Sequence, residues 1–492
     1  MKTATKQAGL VFTSRMLGYV LGFLLQTVLA RFLGPDKYGL YSLGLTVANV
    51  GVLFSVFGMG TGTIRFLGEY IGKNEKEKAK GVIFSAFQLT TLLSLVFAVM
   101  LTAFKNFISI NIFHDERLSS ILPWFSVVLV MYSFLQLFSG IYQGLKRPSI
   151  FFLCRETLER IMRIGIFLTL YLLGFKLFGA IFATIISTIF ILLILFIKLK
   201  STAPFVFDKS ITPLYERKKF LGYSSNMLFV SFTYFLMGQV NRLILGIYLD
   251  AKSVGMYTIS DTVAQLSVFF LTAFNSIFAT IISELYHTGD RKTLAKMYAD
   301  ITRWIVILTL PLTIWMIVFS EQILSIFGKE YTQAKYVLIF LAMGQFVNAA
   351  VGSNGFMLLM TKHQKLEMIN GVLIASLNIL LNIILVPKLG IIGSAIAGMI
   401  AISGVNILKM VEVYLTLGMI PYNTKYIKPI ISGSLLLLLA GITHKFVSNI
   451  PITLCMLPLL FAVMIGLLIA LRLYEEDKEI MGVIMRKMKF FG

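Results

Sequence analysis

A few polar side chains interrupt the long apolar stretches of this sequence, and they are the groups able to do chemistry. Arg15 stands about seven residues into an apolar run that begins near residue 8. Arg242 stands about seven residues before the end of another run, and Asp261 about seven residues into the next. At 1.5 Å of rise per residue, this places each side chain roughly 10 Å into a membrane. An arginine at mid-membrane costs roughly 2.5–3.5 kcal/mol on insertion scales, so it is expected to face a cavity or a partner. For Arg15 two readings stand: a cavity cation for an anionic ligand, or a guanidinium that snorkels to the headgroups. Arg242 and Asp261 fall at matched depth on antiparallel neighbours, which predicts an ion pair. That pair either holds two helices together or lines a cavity, with Gln265 one turn below Asp261.

Other embedded polar residues carry plainer expectations. Asn378 and Asn382 are four apart on one helix face and read as interhelical hydrogen bonding, since a sodium site would need a carboxylate that this stretch lacks. Gly58, Gly60 and Gly62 fail the phosphate-loop spacing at Thr63 and follow no strand, so they read as close helix packing. His114, His287, His363 and His444 are scattered without metal-ligand spacing. No catalytic constellation, metal site or cofactor is expected.

Only helices in a membrane can position such groups here. Of 492 residues, 57% are hydrophobic and 14% charged, and the mean hydropathy is +0.85. Soluble proteins carry about 25% charged residues, so the fold class is all-α and polytopic. A soluble enzyme, a disordered chain and a disulfide scaffold are excluded, and Cys154 and Cys455 form no motif. About fourteen segments approach the ~20 residues a bilayer requires. They lie near 8–32, 39–64, 81–104, 118–143, 152–174, 177–197, 221–249, 254–283, 300–320, 334–360, 366–386, 391–416, 429–447 and 452–472. The fifth is the weakest, because Arg155, Glu156, Glu159, Arg160 and Arg163 occupy its first half. The first segment is too long for a signal peptide and reads as a retained helix.

The net charge of +21 is explained by orientation rather than by nucleic acid, which is not expected as a partner. With the N-terminus inside, 31 of the 44 lysines and arginines fall on one side and 10 on the other. That asymmetry predicts cytoplasmic termini and a cell-membrane location.

An internal repeat organises the segments. Tyr38-Gly39-Leu40-Tyr41 recurs as Val254-Gly255-Met256-Tyr257 and Ala79-Lys80 as Ala295-Lys296, both at an offset of 216. Ile112-Phe113 recurs as Ile326-Phe327, and the run 179–183 as 393–397, both at an offset of 214. Six helices per repeat give both halves one orientation, hence two lobes about a pseudo-twofold along the membrane normal. The expected division is 1–200, 214–417, two added helices at 425–473 and a cytoplasmic tail at 474–492. The repeat maps Gln26 onto Arg242 and Asn49 onto Gln265, so the first lobe offers amides where the second offers charge. Arg15, Gln26, Asn49, Arg242, Asp261 and Gln265 are the candidate substrate-binding residues.

The run Ala30-Arg31-Phe32-Leu33-Gly34-Pro35, followed by Tyr38-Gly39-Leu40-Tyr41, resembles the loop after helix one of the polysaccharide biosynthesis (Wzx-type) flippases. These belong to the multidrug/oligosaccharidyl-lipid/polysaccharide exporter superfamily. Arg65, Val254-Gly255-Met256-Tyr257, Phe327-Gly328-Lys329-Glu330-Tyr331 and the run 390–397 fit the same pattern. The resemblance implies alternating access and export of a polyprenyl-(pyro)phosphate-linked oligosaccharide. It departs at helix seven, where Asn241-Arg242 stands in place of an acid. Membrane lipids are expected partners. The basic runs 72–80, 198–219 and 474–489 are either solvated faces or docking points for glycosyltransferases or a polymerase. The alternatives are a cation-coupled small-molecule exporter of the same superfamily and a membrane glycosyltransferase or polymerase. The last would need converging acids, whereas Asp36, Asp115, Glu116, Asp250, Glu321 and Glu330 are spread one or two per loop.

Overall fold

The structure, a computed structural model, describes residues 2–445 and 449–471. The expected tail at 474–492 lies outside them. Every regular element among the described residues is helical. In a bilayer each backbone N–H and C=O needs a partner, and a helix supplies all of them within one segment. Eleven helices are long and apolar enough to cross, or twelve if the bent pair Lys329–Ala350 and Asn354–Met360 is one span. The chain is therefore a polytopic all-α membrane protein.

Two of the fourteen expected segments share one long helix, α1 (Lys2–Val56), divided at Gly34 with φ 71° and ψ 168°. Glycine tolerates that positive φ, and Pro35 restarts the helix with its φ already fixed. Next come α2 (Met59–Gly72), α3 (Lys76–Ala103) and α4 (Arg117–Gly144). The fifth expected segment is not among the eleven, because its charged residues lower its hydropathy. It forms α5, a run over 148–172 that is α-helical at Pro148–Phe152, π-helical at Leu153–Leu158 and α-helical again at Glu159–Leu172. Then follow α6 (Lys176–Thr202), α7 (Arg217–Tyr248) and α8 (Ala251–Ala264).

The described residues form two compact units, 2–259 with 379–394, and 260–378 with 395–445 and 449–471. In the first unit, α1 and α2 both pack on α4 and α7, and α5 packs on α1 and α6. Glycines set the closest approaches. A Cβ on Gly140 would stand 2.4 Å from the Gly60 carbonyl oxygen, and one on Gly58 2.2 Å from that of Ser224. Tight packing is what the Gly58–Gly62 spacing predicted.

Repeat-related residues meet one another inside this unit. A Cβ on Gly39 would stand 1.6 Å from the Ala251 carbonyl oxygen, and one on Gly255 2.1 Å from that of Pro35. Each residue contacts the repeat equivalent of its partner's neighbour, the reciprocity expected across a twofold. The hydroxyls of Ser42 and Thr258, 216 residues apart, lie 3.1 Å from each other.

The second unit is built on α9 (Val268–Thr288), α10 (Arg291–Val318), α11 (Lys335–Ala350), α12 (Asn354–Met360), α13 (Gln364–Leu389, its first part), α14 (Ile391–Leu417), α15 (Ile427–His444) and α16 (Ile450–Ala470). The two added helices, α15 and α16, dock on α10, where Trp315 Nε1 donates to the Thr453 carbonyl at 2.8 Å. Arg303 is 1% exposed on α10, with Asp300 3.6 Å away. Between α13 and α14, Lys409 pairs with Glu367 at 2.6 Å and Asn370 donates to Glu412 at 2.5 Å.

Candidate functional site

In the first unit α1, α2, α4 and α7 line an open cavity of 490 Å³. Its polar wall comes from amides and hydroxyls: Asn49, Thr61, Gln136, Ser139, Gln143, Ser231, Tyr234 and Gln239. Small residues open the space, with Gly58, Gly60, Gly140 and Gly238 on the lining. Gln143 donates to the Ser139 carbonyl at 3.2 Å and to its hydroxyl at 2.9 Å. Such a wall suits a hydroxyl-rich ligand, because every amide offers both a donor and an acceptor.

A second, smaller cavity of 170 Å³ adjoins it and shares Asn49, Val52, Gln136 and Ser139 with it. Here the lining turns ionic, with Arg155 and Glu156 of α5 beside Tyr132. Arg155 pairs with Glu159 at 3.0 Å, and Glu159 also pairs with Arg163. Arg160 pairs with Glu156 and donates to the Gly18 carbonyl. Arg163 donates to the Tyr132 hydroxyl at 3.0 Å, and Ser187 donates to Glu159 at 3.3 Å. Helix α1 makes room for this: a Cβ on Gly22 would stand 2.7 Å from Arg160 Nη1.

The sequence-predicted residues fall in several places. Asn49 lines both cavities. Arg242 donates to Gln239 at 3.0 Å, so it stands one hydrogen bond behind the wall that Asn49 faces. Gln26 accepts from the Tyr38 hydroxyl at 2.5 Å. Arg15 is exposed and its guanidinium sits 4.4 Å over the Phe152 ring. Asp261 and Gln265 belong to the second unit, where Gln265 donates to Asp261 at 3.3 Å. Asn382 donates to Asn241 at 3.0 Å, and Asn241 to the Tyr257 hydroxyl at 2.5 Å. Sequence reasoning singled out none of Ser231, Tyr234 and Gln239, because one polar residue per turn is also what an ordinary packed helix shows. Asp36 and Asp115, scattered in sequence, converge on Arg117, whose guanidinium lies 2.7 Å from one and 2.8 Å from the other. That clamp holds Asp115 below the usual carboxylate range, chiefly through its hydrogen bond from Arg117.

Comparison with known proteins agrees with this architecture. A family model described as polysaccharide biosynthesis protein matches residues 28–336. An uncharacterized membrane protein of Methanocaldococcus jannaschii is 24% identical over 417 residues, 78% of each chain. The probable low-salt glycan biosynthesis flippase Agl15 of Haloferax volcanii is 29% identical over 155 residues, 31% of this chain and 33% of that one. Among solved structures, the lipid II flippase MurJ in an inward closed conformation shares the fold at a TM-score of 0.70 and 19% identity, over 92% of this chain and 97% of that one. With more than half its length matched by the family model, and a membrane fold shared over nearly all of it, the chain belongs to the polysaccharide biosynthesis protein family.

Proposed function

We infer that this protein is a flippase that moves a polyprenyl-linked oligosaccharide from the cytoplasmic to the outer leaflet by alternating access, for surface polysaccharide or glycan assembly. The observation that carries the reading is the amide-lined cavity inside the helical bundle, where Asn49, Gln136, Gln143 and Gln239 face open space. Amides that line an open cavity inside a membrane bundle can both donate and accept, and sugar hydroxyls supply partners of both kinds. The glycan flippase of Haloferax volcanii and the lipid II flippase fold support the same reading. Arg15, Gln26, Asn49, Arg242, Asp261 and Gln265 are proposed to contact the substrate.

The lobes at 1–200 and 214–417 are proposed as the moving parts, with 425–473 as an addition. The reciprocal packing of Gly39 and Gly255 supports a pseudo-twofold between the repeats. In the second unit a 630 Å³ cavity lined by Leu310, Ile314, Ile317, Phe346, Ile430 and Leu437 suits an isoprenoid chain. The basic asymmetry supports cytoplasmic termini in a plasma or inner membrane, with glycosyltransferases or a polymerase at the basic faces.

Deleting the gene is expected to strip surface glycan and to leave lipid-linked oligosaccharide in the cytoplasmic leaflet. Gln136→Leu, made at unchanged protein level, is expected to do the same. Normal glycan export together with new sensitivity to cationic drugs would move the protein to the multidrug reading.

A further inference from the structure

The wall of the sugar-sized cavity is polarised where α1 meets α7. Arg242 Nη1 donates to Gln239 Oε1 at 3.0 Å, and the Thr46 hydroxyl donates to the same oxygen at 3.4 Å. A guanidinium carries donors and no acceptor, so the amide oxygen has to face it and the amide nitrogen has to turn away. Gln239 lines the 490 Å³ cavity, and its nitrogen meets no acceptor among the described residues. At this point the wall therefore offers N–H donors only.

Asn49 supplies the complement. It stands three residues from Thr46 on α1 and lines the same cavity. Its amide forms no hydrogen bond within the described residues, so both its oxygen and its nitrogen are open to a ligand. A group seated between the two side chains needs a carbonyl for Gln239 and an N–H or O–H for Asn49. The two helices run antiparallel here, since Thr46 meets Gln239 whereas Gly58 meets Ser224. Leu53, one turn after Asn49, and Phe235, one turn before Gln239, therefore fall on the same side, and both line the cavity. They form an apolar floor beneath the two amides. Among the described residues no lysine, arginine, aspartate or glutamate lines this cavity, so a carboxylate would enter it without a facing counter-ion.

We propose that this end of the cavity reads an acetamido group, so that the sugar carried by the lipid is N-acetylated. The acetamido carbonyl accepts from Gln239, its N–H donates to Asn49, and its methyl packs on Leu53 and Phe235. A hydroxyl at the same ring position reaches one of the two amides and leaves the floor uncovered. Gln239 is then the residue that sets specificity, and Arg242 fixes which end of it faces the sugar. This rests on the reading of the protein as a carrier of a polyprenyl-linked glycan and names a chemical feature of that glycan.

The test is equilibrium binding to the purified full-length protein in lipid nanodiscs. The probes are short-chain polyprenyl diphosphates bearing N-acetylglucosamine, glucose or glucuronate. The N-acetylated probe is expected to bind at least about tenfold more tightly than the glucose probe, the scale of one additional hydrogen bond with its buried methyl. Gln239→Glu keeps an oxygen for Arg242, which guards against a folding failure, and removes the donors. It is expected to erase the preference, and Asn49→Leu is expected to weaken it. Equal binding of the N-acetylated and glucose probes overturns the proposal, and so does an undiminished preference in Gln239→Glu. Tightest binding of the glucuronate probe would assign the donors to a carboxylate and overturn it as well. If the preference is missing while deletion of the gene still strips surface glycan, the acetamido site falls and the transport reading survives. If the Gln239-dependent preference holds and surface glycan is unaffected by the deletion, the site stands and the transport reading falls.

Discussion

The reciprocal crossing of the two repeats can be broken with a single methyl group. In Gly39→Ala the new Cβ would stand 1.6 Å from the Ala251 carbonyl oxygen. Real Cβ atoms stay at least 3.0 Å from such an atom, so the segments must separate by about 1.4 Å. The obstacle is backbone, which cannot swing aside as a long side chain can. Overpacking of this kind typically costs about 1–3 kcal/mol. The readout is a disulfide at the repeat-equivalent pair Ser42 and Thr258, whose hydroxyls lie 3.1 Å apart. Cysteines at both positions should oxidise to a cross-link in the otherwise native chain, since their sulfur atoms start within reach. Adding Gly39→Ala or Gly255→Ala should slow that cross-link by about tenfold or more, because 1.4 kcal/mol is a factor of ten in population. The cross-link itself should block export, and a reductant should restore it. Oxidation at the parental rate in the alanine variants would refute the argument that this contact depends on the missing methyl groups.

Removing the carboxylate shared by two arginines should be more damaging. Glu159→Gln leaves Arg155 and Arg163 without their partner, and loss of one member of a buried pair typically costs about 3–5 kcal/mol; thermal unfolding in detergent reads it. Glu216 in the 203–216 connection is held below its ordinary range, first by the Tyr70 hydroxyl and then by Lys219 and Lys78. A depressed carboxylate stabilises fully above its unfolded value of about 4.3 and loses that contribution as pH falls through the lower folded value. Native protein should therefore lose thermal stability between about pH 5 and 3 more steeply than Glu216→Gln. Arg117→Ala should free Asp36 and Asp115 and raise proteolysis of the loops that carry them, with little change in global stability, since the pairs are partly exposed.

What the sequence made legible followed from chemistry that acts over one segment. Hydropathy marked the helices because an unpaired backbone in lipid is prohibitive, and Gly34-Pro35 marked the break in α1 because few other pairs restart a helix there. The short glycine run 58–62 was readable as packing for the same local reason. The site was only half legible. Asn49 emerged through the repeat, but the wall opposite it comes from α7, whose Tyr234 and Gln239 sit in a stretch that reads only as an ordinary membrane span. The α5 charges show the limit most clearly. In sequence, Arg155, Arg160 and Arg163 count as basic residues near a cytoplasmic end, and Asp261 stands out as a deep carboxylate. In three dimensions Glu159 is the more buried of the two carboxylates, and Arg155 and Arg163 meet it from four residues away on either side, while Arg160 pairs with Glu156. Spacing alone did allow those pairs, since i,i+4 partners always can meet. What it could not supply was the glycine-lined face of α1 that lets a charged helix pack in the interior. Gly18 and Gly22 are therefore the residues that convert five charges from an obstacle to insertion into a wall beside the sugar-sized cavity. A larger side chain at either position should displace Arg160 and, through Glu156, alter the cavity that Arg155 faces.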